Sequence, residues 1–454
     1  GYLHAGSSET MTTAEDVAAM VRSEVTGLTI PAHAEALRDA GAAFLSTAFR
    51  AFGSLDPGTR VARITRLENC PGGSTGQNLF LSVEYDPPAP HLHTDLFVKF
   101  SRDFSDPLRD RGRFEMASEV RFAALSRLAH FPVSVPKTYY ADYHQDSGTG
   151  VLITQRIPFG VGEIEPQHQK CLDHELTDPA SYYRAIVRAL ARLAGAHKGG
   201  RLQADVDVQF PFDPQAAAAA DRIRYDERQL RELLAAYAEF AHRYPQLLPA
   251  NIRAPGFLAS LEHDACRFLA HEAVIKRFLQ GNRELVALCH WNAHIDNAWF
   301  WRDAAGALQC GLIDWGRVRQ MNVAYALWGS LSGAGPEVWD RHLQELLVLF
   351  AGEYHAHGGP RVDVEELKLH LQLYIATMGL AWMLEAPARI LMRLPEAAGA
   401  SGPRDPVFRR SETARNQLHI FTVFLHLWQT QDFGASLDRM LYIRGTHNHG
   451  GNRK

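Results

Sequence analysis

The chain has 454 residues, 46% hydrophobic and 22% charged, the balance of a globular protein with a sizeable core. At roughly 150 residues per domain this length allows two or three domains. Its 47 basic and 51 acidic side chains leave a net charge of −4, which excludes a uniformly basic surface for nucleic acid.

At the N-terminus, GYLHAGSSETMTTAEDV lacks the charged-then-apolar order of a signal peptide. Met11 reads as the natural start, with residues 1–10 as an artificial leader. In residues 14–53, Val17, Met20, Val21, Val25 and Leu28, then Ala36, Leu37, Ala43 and Phe44, recur at three- and four-residue steps. That spacing predicts helix. From about residue 60, VARITRLE, NLFLSVEY and HTDLFVKF are β-rich runs divided by PGGSTGQ and DPPAPHLH, predicting antiparallel strands joined by turns. Helical spacing returns in GRFEMASEVRFAALSRL (112–128). VPKTYYADYHQ and GVLITQRIP then add two strands with SGTG as the turn between them.

After Pro158 the pattern is mainly helical: Tyr182–His197, an Ala-rich helix over 214–243, and long apolar helices over 364–394 and 406–430. PEAAGASGPRDP (395–406) reads as a loop, and RGTHNHGGNRK at the end as a disordered tail. The expected organisation is therefore a small β-rich lobe over 11–157, a larger helical lobe over 158–444, and a flexible tail over 445–454. Five cysteines, Cys70, Cys171, Cys266, Cys289 and Cys310, are odd in number and contain no CxxC pair. They argue against a disulfide framework and a zinc knuckle and fit a reducing compartment, the cytoplasm. No apolar run approaches the ~18 residues that span a bilayer, so no membrane partner is expected.

The densest cluster of polar residues is CHWNAHIDNAWF (289–300), followed by CGLIDWG. Zinc bound by His290 and His294 would need a glutamate directly after the first histidine, where Trp291 stands, and a third ligand. Phosphoryl transfer fits better. It needs a backbone loop close to phosphates, a cation on them, oxygen ligands for Mg²⁺, and a group orienting the acceptor hydroxyl. Candidates occur in that order: the Gly-rich turn Gly73-Ser74-Thr75-Gly76, Lys99 in a strand, Glu119 on the next helix, the 289–297 segment, then Asp314.

These residues resemble the aminoglycoside phosphotransferase and choline kinase-like superfamily, whose loop H-G-D-x-H-x-x-N precedes a strand ending I-D-W or I-D-F. Here the loop is His290-Trp291-Asn292-Ala293-His294-Ile295-Asp296-Asn297 and the strand ends Ile313-Asp314-Trp315. The resemblance covers roughly residues 55–330. It implies an α+β, two-lobed protein-kinase-like fold, with a small antiparallel sheet lobe and a larger, mainly helical one. It also implies ATP and Mg²⁺ as cofactors. Lys99 would contact the phosphates and pair with Glu119, Asn297 and Asp314 would hold Mg²⁺, and His290 and His294 would brace the loop. Ile153–Ile157, with Gln155 and Ile157, would receive adenine.

One departure bears on the chemistry. Where the family places the aspartate that orients the acceptor hydroxyl, this chain has Asn292, and the preceding glycine is Trp291. An amide oxygen accepts a hydrogen bond but takes no proton at neutral pH. A register shifted to Asp296 fails, because the metal asparagine would then fall at Trp301. The soft apolar residues Met378, Trp382, Met383, Leu391 and Met392 point to a small, apolar, hydroxylated acceptor, and the scattered acids Glu385 and Glu396 do not suit a polycationic sugar. The readings left open are an ATP-dependent phosphotransferase with a replaced base, a nucleotide-independent enzyme using Asn292, Trp291, His290 and Asp296 in the same fold, and a non-catalytic nucleotide-binding protein.

Overall fold

The computed structural model describes Ala14 and residues 17–450, with side chains to residue 446. The expected leader and residues 451–454 lie outside the described residues. The chain divides into two compact units. One runs to Pro158 and takes in Asp314–Val318; the other comprises Phe159–Ile313 and the chain from Arg319 onward.

The first unit is built on a five-stranded antiparallel sheet in the order β3-β4-β5-β7-β6, formed by Arg60–Cys70 (β3), Gln77–Asp86 (β4), Asp95–Phe100 (β5), Thr138–His144 (β6) and Thr149–Gln155 (β7). Strict alternation makes these strands: Leu79, Leu81 and Val83 of β4 and Leu96, Val98 and Phe100 of β5 are buried in one core. Their pleat partners, including Lys99, project to the opposite side. Helix α1 (Ala34–Phe52) covers the sheet with Leu37, Leu45 and Phe49. It starts at His33, whose Nδ1 accepts the Ala36 N–H, and stops at Gly53, whose left-handed φ of 85° no β-carbon residue adopts cheaply. Helix α2 (Met116–Leu125) carries Glu119.

The second unit is mainly helical, and two small hairpins place its loops. Strand β8 (Val286–Cys289) pairs with β11 (Arg319–Asn322), and β9 (Ala298–Arg302) with β10 (Leu308–Leu312). Helix α3 (Pro179–Lys198) crosses α4 (Pro336–Ala356) so closely that a Cβ at Gly195 would lie 2.4 Å from the Tyr354 carbonyl. His197 near the end of α3 then accepts the Leu288 N–H through Nδ1 at 3.0 Å, fixing β8. One antiparallel-sheet unit and one helical unit give the α+β content of the protein-kinase-like fold, as expected. Among the described residues no single helix is long and apolar enough to cross a membrane.

Four stretches differ from the sequence reading. Residues 17–33 form a hairpin, β1 (Met20–Arg22) with β2 (Thr29–Pro31), rather than helix. The cause is tertiary. The fully buried Asp142 carboxylate accepts Ser23 Oγ–H at 2.7 Å, Val25 N–H at 2.9 Å, Thr26 N–H at 3.1 Å and Tyr140 O–H at 2.6 Å, pulling the chain into a turn around Gly27. The helix expected over 214–243 is two, Pro214–Ala219 and Glu227–Arg243, because the Ala220 carbonyl is taken by Lys276 and Asp226 starts the second with a capping box. The stretch 364–394 bends by 52° between Val364–Trp382 and Ala386–Arg393, the second restarting at Pro387. Finally, helix Phe433–Gly450 runs through most of the stretch read as a disordered tail.

Replacing Asp142 by Ala strands the buried donors that converge on it, at about 1–3 kcal/mol for an unsatisfied group. Chemical denaturation should show at least that loss; a variant as stable as the parent would show that the hairpin does not depend on this carboxylate.

Candidate active site

In the first unit, Lys99 Nζ donates to Glu119 Oε2 at 2.9 Å and lies 3.8 Å from Asp314 Oδ1. The Lys99 and Glu119 side chains are only 17% and 7% exposed. Burial opposes the lysine's charge, but the Glu119 and Asp314 carboxylates outweigh it and hold the ammonium above its ordinary value. Glu119 feels the opposite balance: burial raises its carboxyl, and the Lys99 ammonium offsets this only in part. Asp314 adopts φ +62°, a left-handed conformation uncommon for a residue with a side chain. The next residue, Trp315, stacks on Phe122 with centroids 3.8 Å apart. Phe122 stands three residues after Glu119 on α2, so one helix face holds both the ion pair and the segment bearing Asp314. The sequence-predicted trio of Lys99, Glu119 and Asp314 is thus one cluster.

The turn from Gly73 to Gly76 links β3 and β4 as expected, but it is anchored by a residue that the sequence reading missed. Arg109 donates to the carbonyls of Gly72 at 3.0 Å, Gly73 at 2.9 Å and Gly76 at 3.0 Å. The Arg109 carbonyl in turn accepts the Gly76 N–H at 3.3 Å, so the turn is closed at its β4 end. A Cβ at Gly76 would lie 1.8 Å from the Phe100 carbonyl, so only glycine fits there. Ser74 is exposed and Thr75 packs against Gly112. The Asp106-Pro107 pair that starts the short helix Pro107–Asp110, which carries Arg109, was the available signal. At the end of β7, Gln155 has both backbone groups committed, its N–H to Lys137 and its carbonyl to Thr154 Oγ1. Of the expected adenine contacts, only Ile157 has backbone groups that make no hydrogen bond among the described residues.

In the second unit the loop 290–297 is held from within. His290, fully buried, donates from Nε2 to the Ile313 carbonyl at 2.8 Å. Ile313 N–H in turn donates to the Asn297 carbonyl at 2.9 Å, and Asn297 Nδ2 to the Asn292 carbonyl at 2.9 Å. The residue before Asp314 is therefore tied to the loop at both ends. With its amide N–H spent, Asn297 keeps its Oδ1, a hard donor of the kind Mg²⁺ takes. Asn292 Oδ1 is buried without a hydrogen-bond partner. Trp291 packs its carbonyl so tightly on helix Val323–Leu331 that a Cβ at Gly329 would sit 1.6 Å from it, and its Nε1–H donates to Tyr374 Oη at 3.1 Å. Gln167 donates to the Asp296 carbonyl at 2.8 Å. Neither Gly329 nor Gln167 belongs to any motif, so sequence alone gave no signal for them.

His294 has an Nδ1 shut off from water with no hydrogen-bond partner, and burial, with Lys170 and His290 nearby, pushes its pKa down to about 3. It stays neutral, which suits bracing and makes it a feeble base. Cys289 is buried and its thiol is pushed up to about 12 by burial, leaving it inert. Of the apolar residues expected at an acceptor site, Met378 is buried whereas Trp382 and Met392 are exposed. Among the described residues no group of three or more His, Cys, Asp and Glu side chains could hold a metal ion.

The site thus comprises a buried lysine–glutamate pair with an adjacent aspartate in the sheet unit and a histidine-braced loop in the helical unit. The chain is similar in structure to choline kinase from Cryptosporidium parvum (11% identity, 89% of this chain and 98% of that one, TM-score 0.40). It is similar too to ethanolamine kinase from Plasmodium vivax (14%, 71% and 76%, TM-score 0.37) and to an aminoglycoside 2'-phosphotransferase in its GDP complex (12%, 82% and 94%, TM-score 0.34). No family model matches the sequence, and no curated protein matches it.

Two outcomes follow from the geometry. Lys99→Met leaves Glu119 buried and unpaired, a loss of about 3 kcal/mol. Adding Glu119→Leu should recover most of it, and a double variant no more stable than the single would show that the pair is not the source. For His294, the unfolded chain takes up a proton below about pH 6.5 that the folded chain refuses until about pH 3, so stability falls as pH drops through that window. His294→Gln should flatten the fall by about 1 kcal/mol per pH unit, measured by denaturation at several pH values. An unchanged slope would mean that the ring protonates within the fold.

Proposed function

We propose that the protein transfers a phosphoryl group from ATP, with Mg²⁺, to a hydroxyl of a small molecule. The observation that carries this reading is the Lys99–Glu119 pair with Asp314 3.8 Å from the same ammonium. An ammonium kept charged in a nearly dry setting suits the α and β phosphates of a nucleotide. Asp314 and Asn297 would each offer a hard oxygen to hold Mg²⁺, whose chemistry would be to neutralise charge developing on the transferred group. Gly73, Ser74 and Thr75 would lay backbone N–H groups on the phosphates, with Gly76 closing the turn through its N–H to Arg109, and Ile157 would take the adenine.

The unusual part is the acceptor side. Asn292 Oδ1 orients the substrate hydroxyl by accepting its hydrogen bond, and it cannot remove the proton. A loose transition state tolerates this, since charge neutralisation and positioning dominate the barrier and the proton leaves late. A small-molecule kinase acting in the cytoplasm fits the five free cysteines. The replacement at Asn292 also motivates a second reading, nucleotide-independent chemistry in the same fold. The two separate cleanly on whether turnover requires ATP.

The test incubates the protein with Mg²⁺ and γ-labelled ATP against a library of hydroxylated metabolites. Label should move to one acceptor class, and Asp314→Ala should abolish both transfer and the thermal stabilisation given by Mg-ATP. Asn292→Asp should raise kcat by about 10²-fold, within the usual range for a general base, and add an acid limb to a pH profile that is flat in the parent. Failure of Mg-ATP to bind the parent at all would end the phosphotransferase reading.

A further inference from the structure

Beneath Trp291, wholly within the second unit, lies a cavity of about 60 Å³ whose walls include Lys276, Gln280, Tyr325, Tyr374, Thr377 and Met378. At about 15 Å³ per water-sized group it has room for about four such groups. Its hydrogen bonding is unbalanced. Gln280 is only 4% exposed; its Nε2–H donates to Tyr325 Oη at 2.7 Å, yet its Oε1 has no partner. An unserved buried acceptor is costly, and native structures leave few of them. Tyr325 and Tyr374 stack with centroids 3.7 Å apart, and their oxygens accept from Gln280 and Trp291 respectively. Burial raises both phenols well above their ordinary value, so both keep protons to donate. The cavity therefore offers one acceptor and two donors within a few ångströms of aromatic face.

We infer that this cavity binds the neutral hydroxyl-bearing end of a small molecule, which donates to Gln280 Oε1 and accepts from the tyrosine hydroxyls. An alcohol is the smallest group that does both. Charges of both signs stand in the walls, Asp221 against Arg319 and a Lys276 already paired with Glu272 at 3.4 Å, so no net charge is left to call for a cationic ligand. A carboxylate is disfavoured because it brings no proton to Gln280 Oε1. The Trp291–Tyr374 bond couples this cavity to the loop bearing Asn292. Taking the bound alcohol as the acceptor substrate rests on the proposed phosphotransfer; the binding itself does not. This narrows the expected apolar acceptor to one with a polar, uncharged end.

The probe is ethane-1,2-diol, added without nucleotide and compared with ethylammonium and acetate, with the parent and Gln280→Met read by ligand-observed NMR titration and by crystals soaked in each probe. The diol should occupy the cavity with an oxygen in hydrogen-bond reach of Gln280 Oε1 and bind at least about tenfold more weakly to Gln280→Met, the loss of one hydrogen bond of about 1.4 kcal/mol. Gln280→Glu, which keeps the acceptor, should keep diol binding. Ordered water alone in the cavity, equal binding by Gln280→Met, or a preference for ethylammonium would each overturn the assignment. Transfer activity with no diol binding removes the pocket and leaves the reaction; diol binding without any ATP-dependent transfer removes the reaction and leaves the pocket.

Discussion

A lysine ammonium and a glutamate carboxylate 2.9 Å apart, nearly excluded from water, set most of what is distinctive about the first unit. Such a pair is weak as a source of stability, because desolvating both charges cancels much of their attraction. Its worth is geometric. Lys99 belongs to a central sheet strand and Glu119 to the helix packed near it, so the pair fixes helix to sheet. One turn along that helix Phe122 stacks on Trp315, which holds the neighbouring Asp314 in a left-handed conformation with its carboxylate 3.8 Å from the ammonium. Three charges in one place would relax apart if any of these supports were loose.

The second unit reaches the same rigidity without charge. His290, Asn292, Asn297 and Ile313 exchange hydrogen bonds that commit most of the loop's polar groups to one another. Tight packing supplies the remainder: Gly329 presses its backbone on the Trp291 carbonyl, closer than any β-carbon would allow. A loop held in this way presents its unused atoms in fixed positions, which is what electrostatic preorganisation requires. The unused atoms are few, chiefly Asn292 Oδ1 and Asn297 Oδ1, and both are oxygens that accept.

Those parts whose signals are local were legible in the sequence. The sheet strands alternate, the loop and the I-D-W strand share a dense motif, and Lys99 and Glu119 fall in the order that the resemblance demands. What escaped depends on contacts distant in sequence. Val17 to Leu28 carry helix-like spacing, but Asp142, more than a hundred residues away, collects the turn's N–H groups and a hairpin forms instead. The Ala-rich run at 214–243 has the propensity for one helix, yet Lys276 captures the Ala220 carbonyl and ends the first piece. Arg109 looks like one arginine among several until the fold lays three glycine-turn carbonyls beside it. Propensity lost to tertiary hydrogen bonding in each case.

The asparagine at 292 gains its meaning from the two units' different economies of charge. A carboxylate there would have to be desolvated near a buried His294 that stays neutral and brings no charge to offset it. An amide of the same shape avoids that cost and still offers an acceptor oxygen. Under the proposed transfer, the chemistry would run on positioning rather than proton removal, and the grip on the acceptor would matter more than in an enzyme with a base. Trp291 is where this demand meets the structure. Its carbonyl is pressed on Gly329, and its indole N–H ties the loop to Tyr374. Asn292 and Trp291, standing where the resembled motif has an aspartate and a glycine, thus act together: the loop carries no proton acceptor there and has a more rigid wall.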